Sequence, residues 1–211
     1  LPGVTLDLRQ ASDKPVKLSI KPDREAAKEG IIELVGNYNR LMAELNIVSR
    51  SEESILSEID YLSTEERATY KERLGMFQGD SMIGQMRSSL QRIMMDVYGT
   101  DQGPKILATF GVSTNTSRAS GGYDASRLRG YLEIDESALD KALLDSFQSV
   151  RQAFGFDSDR DLIVDSGIGF ALDALMKPYV ETGGIISTRT RTLDDQIARQ
   201  KRTIETLDKQ L

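Results

Sequence analysis

The stretch GGIISTRTRTLDDQIARQKRTIETLDKQL, residues 183–211, decides how the rest of the chain is interpreted. Starting at Ile186, positions alternately four and three residues apart form an apolar seam that two polar residues, Thr190 and Gln200, interrupt. This heptad pattern predicts a helix that supercoils with another helix to bury its seam. The apolar seam residues, which we predict to bind the partner helix, are Ile186, Leu193, Ile197, Ile204, Leu207 and Leu211.

The two ends of the sequence suggest a piece of a longer protein. The seam runs to the last residue, Leu211, so we expect the chain to end in half of a coiled coil. At the other end, the first residues, Leu1-Pro2-Gly3, include no initiator Met. We therefore expect the natural N-terminus, and any targeting signal in it, to lie upstream.

The residue inventory limits the chemistry of the chain. Its 211 residues include no Cys, no His and no Trp, which excludes a Ser-His-Asp triad, a Cys nucleophile and ordinary zinc or haem sites. The net charge of -6 argues against nucleic acid as a partner. Apolar runs reach only four or five residues, so we expect no membrane insertion. We predict no catalytic residue, no cofactor and no metal site.

Two short stretches at the start of the chain alternate between apolar and polar residues. Val4–Leu8 and Val16–Ile20 have this pattern, with Pro15 and a polar segment between them. They predict two antiparallel strands. A lone strand pair is marginal in water, so we expect residues 1–22 to be the root of a larger domain upstream.

Residues 23–180 have mainly helical periodicity. Asp23, Ser63 and Asp80 each precede an apolar periodic segment and predict helix starts, and Ser63 opens a capping box. Alternation near residues 131–135 predicts a short strand, followed by a helix from Asp135 or Glu136. We predict a mainly α (α+β) fold, with a helical bundle, a small antiparallel β element and a C-terminal coiled-coil helix from the hinge at residues 182–184.

The predicted segments contain further detail that the structure can test. The apolar stripe of the first helix includes Ile32, and the helix from Asp80 should reach about Tyr98. A second helix is predicted from about Glu52 to Tyr61, and an exposed loop over residues 113–122. The helix after the predicted strand should continue to residues 154–156.

Three motifs come close to known ligand sites but lack essential residues. The acidic run Asp157–Asp161 resembles a calcium loop, but Leu162 replaces its turn glycine and Ile168 its bidentate glutamate. Gly79 and Gly84 have phosphate-loop spacing without the lysine that must follow. Gly167-Ile168-Gly169 lacks the third glycine of a dinucleotide fingerprint. We interpret all three as helix-connecting turns.

Together, the ordered segments resemble the C-terminal half of the bacterial flagellar filament-capping family, also called hook-associated protein 2. No single motif is specific, but their order and spacing follow the family over nearly the whole chain. The matching segments are Gly3–Leu8, Pro15–Ile20, Asn37–Leu41, Gly79–Met82, Met86–Leu90, Gly130–Glu136 and Thr182–Ile186.

The resemblance implies a non-enzymatic protein of the bacterial flagellum. Members of this family form a ring-shaped homo-oligomer at the filament tip, beneath which exported flagellin subunits fold and insert. The resemblance further implies hook-filament junction proteins as partners, adhesion through the head, and an exported location, extracellular or periplasmic. Residues 1–22 would then belong to the head, 23–180 to a helical leg, and 183–211 to the start of the terminal coil.

Two other interpretations of the sequence remain. The first is a different flagellar junction or filament protein, which would also be helical, exported and flanked by terminal coils. The strand pair directly before Asp23 and the hinge at Gly183-Gly184 favour the cap over this alternative. The second is a surface adhesin, although most of the adhesive head would lie outside this sequence.

Overall fold

The computed structural model describes residues 7, 21–114, 129–159, 161 and 163–209. Helices dominate this part of the chain, and two short strands pair in antiparallel fashion, which confirms the predicted fold class. In chain order the elements are α1 Arg24–Ser49, α2 Ser54–Ser57, α3 Thr64–Arg73, α4 Ser81–Met95, a 3-10 turn Leu107–Phe110, β1 Val112–Thr114, β2 Leu132–Ile134, α5 Glu136–Asp145, α6 Phe147–Phe154, α7 Ile168–Val180 and α8 Ile185–Asp208.

Side-chain caps start the helices where the sequence predicts them. Asp23 accepts a hydrogen bond from the Ala26 amide at the start of α1. Ser63 and Glu66 form a reciprocal capping box at the start of α3. Because the first amides of a helix lack partners within the helix, each of these contacts stabilises its helix by about 1 kcal/mol.

The hydrophobic core surrounds α1, which packs against α4, α5 and β2. Met42 of α1 and Leu139 of α5 are fully buried, and Leu90 of α4 is almost so. The predicted stripe of α1 is wrong at Ile32, whose side chain is 42% exposed. That position lies beside the buried face of α1, because the face that packs is narrower than the apolar stripe.

The small sheet pairs Val112 with Ile134 and Thr114 with Leu132. The prediction of a loop from residue 113 is therefore wrong for its first two residues, which belong to β1. The partner strand β2 lies near residues 131–135, where the alternation of apolar and polar residues predicts a strand. The opposite side of β2 is held by Asn39 of α1, whose side chain donates to the Leu132 carbonyl at 2.9 Å and accepts from the Leu132 amide at 2.8 Å. Asn39 thus replaces a neighbouring strand.

A buried arginine connects the segment before β2 to the region of α2. Arg129 is 2% exposed. Its guanidinium donates to both carboxylate oxygens of Glu58, at 2.8 and 3.0 Å, and to Glu52 at 2.7 Å. The Arg129 carbonyl accepts from the buried side chain of Asn46, at 3.1 Å. These bonds raise the pKa of Arg129 and keep its charge paired in the interior.

Other helix boundaries differ from the prediction. The helix predicted from Glu52 to Tyr61 is only one turn, α2. α4 ends at Met95 rather than near Tyr98, which forms an isolated bridge with Lys105 instead. The helix predicted after β2 divides into α5 and α6 at Ser146, whose backbone leaves the helical region.

The predicted N-terminal strand pair falls outside the described residues, apart from Asp7.

Candidate functional site

The terminal helix α8 leaves the body through a tight glycine turn. Gly183 has a positive φ of 79°, which favours glycine, and the Gly184 amide donates to the Glu181 carbonyl at 2.8 Å. A Cβ atom at Gly184 would lie 2.6 Å from the Pro178 carbonyl oxygen. Both glycines are therefore required by the backbone geometry where the sequence predicts a hinge, and they set the direction in which α8 starts.

The predicted seam lies on an exposed helix. No residue of Ile185–Asp208 is buried. The exposed fraction of the seam side chains rises from 44% at Ile186 and 45% at Leu193 to 57% at Ile204. Ile197 and Leu207 are about half exposed, and Leu211 lies outside the described residues. The structure thus places five of the six predicted residues on one helix that presents apolar side chains to solvent.

Only the first part of this seam lines an apolar cleft of about 370 Å³. Ile186 and Leu193 lie on its wall together with the polar seam residue Thr190, whereas Ile197, Ile204 and Leu207 lie further along α8. The cleft is also lined by Leu41, Leu45, Phe77, Met82, Ile83, Met86, Met176 and Val180. The first two turns of α8 therefore share an apolar surface with α1, α4 and α7.

An ion pair between Arg189 and Asp80 attaches the start of α8 to the start of α4. Arg189 donates through Nη1 to Asp80 Oδ1 at 3.2 Å and through Nη2 to Oδ2. The guanidinium, together with the backbone amides that Asp80 caps, holds the pKa of Asp80 below its usual value. Sequence analysis identified Asp80 as a cap but missed this pair, because no local pattern connects residues 109 positions apart.

The acidic loop that resembles a calcium site brings three carboxylates together. One oxygen each of Asp157, Asp159 and Asp161 lies within 4.8 Å of the others. The loop uses these groups for its own backbone: the Asp161 amide donates to Asp159 at 3.2 Å, and the Ile163 amide to Asp161 at 2.8 Å. Asp159 and Asp161 are exposed, and both carboxylates accept backbone hydrogen bonds, as they do in acidic turns.

In the described part of the chain, no helix has both the length and the apolar character needed to cross a membrane.

The fold is a helical module whose last helix presents an exposed apolar seam. Comparison with known proteins makes the assignment specific: the family described as Flagellar hook-associated protein 2 C-terminus matches residues 1–211. The chain belongs to this family, which confirms the resemblance seen in its sequence.

Curated relatives from two Treponema species are similar over almost the whole chain. Flagellar hook-associated protein 2 of Treponema maltophilum is 43% identical over 99% of this chain and 31% of the relative's own length. The protein of the same name from Treponema pallidum (strain Nichols) is 43% identical over 93% of this chain and 27% of its own length. The chain thus spans less than a third of these relatives.

A solved structure supports the fold. The crystal structure of the flagellar cap protein FliD from Escherichia coli has a TM-score of 0.54 and 21% sequence identity to this chain. The match covers 82% of this chain and 37% of the other. At this identity the likeness establishes the fold alone.

Proposed function

We propose that this chain is the leg and the beginning of the terminal coil of a cap at the tip of the bacterial flagellar filament. The observation that carries the proposal is the exposed seam of α8, which extends from the cleft beside Ile186 along the helix to Leu207. Membership of the hook-associated protein 2 family supports the location, and the Escherichia coli protein that shares the fold is a flagellar cap protein. The role is structural, without catalysis.

The proposed domain organisation follows the sequence boundaries. Residues 1–22 form the root of a head domain, 23–180 the helical leg, and 183–211 the start of a coiled-coil helix. The glycine turn at Gly183-Gly184 supports the second boundary, because it separates a packed body from a helix without buried residues. The partner of α8 is a helix outside this chain, and Leu211 continues the seam.

The proposed partners are flagellin, further copies of the same protein in a ring, and the hook-filament junction proteins. The cap promotes folding and insertion of flagellin subunits that arrive at the filament tip. Its location is outside the cytoplasm, at the external filament or in the periplasm where the flagella are enclosed. An exposed apolar helix fits such a role, because its seam is stable in water only when another helix covers it.

Deletion of Ile186–Leu211 from the full-length gene tests this function in the cell. We expect the deletion strain to shed monomeric flagellin and to carry short filaments, since the cap would not stay in place. A finer variant, Ile204→Asp, should have the same effect because it places a charge in the seam. Thr206→Asp, on the opposite face of α8, is the matched control. Normal filaments in the deletion strain would overturn the proposed function.

A further inference from the structure

We propose that Arg50, the residue that ends α1, and Arg87, within α4, form a binding site for one oxyanion, a carboxylate or a phosphate group. The site lies beside the buried Arg129 and its two carboxylate partners. It does not depend on the proposed pairing of α8. Three observations support it: the balance of charges around Arg129, the partners of Arg87 and a buried donor atom of Arg50.

The charges around Arg129 do not balance. Both Glu52 and Glu58 bind Arg129 at hydrogen-bond distance. The nearest approach of Arg50 to Glu52 joins its Nη1 atom to the carboxylate oxygen that Arg129 already occupies, and at 4.0 Å it is beyond hydrogen-bond distance. Arg87 adds a further guanidinium on the same side. Three arginines therefore share two carboxylates, and one positive charge is in excess.

Arg87 is the arginine without an acidic partner. In the described part of the chain its Nη1 atom donates to neutral oxygens, Ser49 Oγ at 3.3 Å and Asn46 Oδ1 at 3.5 Å. Both bonds are long for a charged donor. Arg87 is only partly exposed, and burial, followed by the charges of Arg50 and Arg129, lowers its pKa. A bound anion would stabilise a charge in such surroundings.

Arg50 contributes a buried donor. Its Nε atom is buried and has no hydrogen-bond partner among the described residues. Buried donors in folded proteins almost always have a partner, so this group calls for an acceptor. The Arg50 side chain is 30% exposed, and an anion from solution can reach it. A carboxylate or phosphate accepts two parallel bonds from one guanidinium, which suits Nε and its neighbouring nitrogen.

A purely structural role of Arg87 at the end of α1 explains less. The last carbonyls of a helix need donors, and a basic side chain there also interacts favourably with the helix dipole. In this chain, however, the carbonyls of residues 46–48 already accept backbone amides from Arg50, Gly75 and Phe77, at 2.7–3.0 Å. The end of α1 is thus closed without the guanidinium of Arg87.

Titration of the chain with inorganic phosphate at constant ionic strength tests the site. The Nε–H groups of Arg50 and Arg87 are followed by proton–nitrogen NMR, because each signal reports on its own guanidinium. We expect both signals to shift together and to saturate, with a dissociation constant of about 1 mM. Acetate, with a single charge, should shift the same two signals with lower affinity.

Replacement of Arg87 provides the matched variants. Arg87→Gln should remove the saturable shift of the Arg50 signal. Arg92→Gln, at an exposed position of the same helix, should bind phosphate as the unmodified chain does.

Thermal unfolding gives a second measurement. Without phosphate, Arg87→Gln should unfold at the same temperature as the unmodified chain or above it, because the excess charge is gone. Phosphate at ten times its dissociation constant should raise the midpoint of the unmodified chain by about 3 °C and leave that of Arg87→Gln unchanged.

The outcomes decide both the site and the source of its ligand. Shifts that do not saturate, or that persist in Arg87→Gln, would overturn the site. A lower midpoint for Arg87→Gln, with no effect of phosphate on either protein, would also overturn it, since Arg87 would then be a structural contact. Dimers in analytical ultracentrifugation that phosphate and Arg87→Gln both dissociate would support the site with a carboxylate of a second copy as ligand. A monomer that binds phosphate would support it with a free ion as ligand.

Discussion

Asp80 and Arg189 connect the start of α4 to the start of α8 through a single carboxylate. Asp80 Oδ1 accepts the amides of Met82 and Ile83, at 3.0 and 3.2 Å, and also the Nη1 group of Arg189 at 3.2 Å. The Asp80 side chain is only 12% exposed, whereas that of Arg189 is 41% exposed. The group that caps α4 thus also fixes the first turns of an otherwise exposed helix.

Replacement of Arg189 tests this attachment. We expect Arg189→Gln to widen the range of directions that α8 takes, because the glycine turn and the cleft contacts alone would hold it. The chain has no Cys, so Glu65→Cys and Arg202→Cys provide two spin-label sites for distance measurements by pulsed electron resonance. Arg191→Gln is the control. An equally narrow distance distribution for both glutamine variants would contradict the attachment.

Acidification should release α8 in the same way. The hydrogen bond from Arg189, with the capped amides, lowers the pKa of Asp80 below its ordinary value of 3.8. A carboxyl group whose pKa is lowered by folding stabilises the fold at pH values above its ordinary pKa. This stabilisation is lost as the pH falls through the lowered pKa. The spin-label distances should therefore broaden below pH 3.8. Asp80→Asn keeps a capping side chain without the charge and should already be broad at neutral pH. Distances that stay narrow in acid would argue against Asp80 as the attachment point.

The contact of Asn39 with β2 should contribute measurably to stability. Asn39→Leu removes both hydrogen bonds to the Leu132 backbone and leaves those backbone groups without this partner. We expect a loss of about 2 kcal/mol in the free energy of unfolding, measured by urea denaturation. Asn37→Leu, at an exposed position of the same helix, should change it by less than about 0.5 kcal/mol. Similar losses for the two variants would contradict a specific contribution of the β2 contact, because helix propensity alone favours leucine over asparagine.

Removal of Arg129 should be more costly. Arg129→Met leaves the Glu58 and Glu52 carboxylates without their buried partner, and we expect a loss of about 3 kcal/mol in the free energy of unfolding. The exposed pair of Lys71 and Glu53 provides the comparison, because Lys71→Met should cost less than about 0.5 kcal/mol. A loss below about 1 kcal/mol for Arg129→Met would show that methionine packing offsets the lost bonds.

Two glycine variants should have opposite effects. Gly184→Ala places a methyl group 2.6 Å from the Pro178 carbonyl, so the turn must open, at a cost of more than about 1 kcal/mol. Gly36→Ala, in the exposed interior of α1, meets no atom within 4 Å and should stabilise the chain by about 0.5–1 kcal/mol. Thermal denaturation of the two variants measures both effects. A neutral Gly184→Ala would mean that the turn tolerates a side chain.

Local chemistry explains which elements could be predicted from the sequence. The caps at Asp23, Ser63 and Asp80 depend on residues two or three positions away, so the sequence pattern identifies them. β1 was not predicted, because Val112–Thr114 is too short to show alternation and becomes a strand only by pairing with β2. Likewise, the break between α5 and α6 at Ser146 has no strong local signal such as Pro or Gly.

For the candidate site, the sequence by itself determined the seam and the hinge glycines, because these follow from helical periodicity and backbone sterics. The tertiary structure decided that Ile186 and Leu193 share a cleft with α4 and α7, and that Asp80 binds Arg189. The contacts with α4 and Asp80 join residues about a hundred positions apart, and no periodicity encodes them. Their physical basis is the packing of α7 and α8 against the body, which only the folded chain brings together.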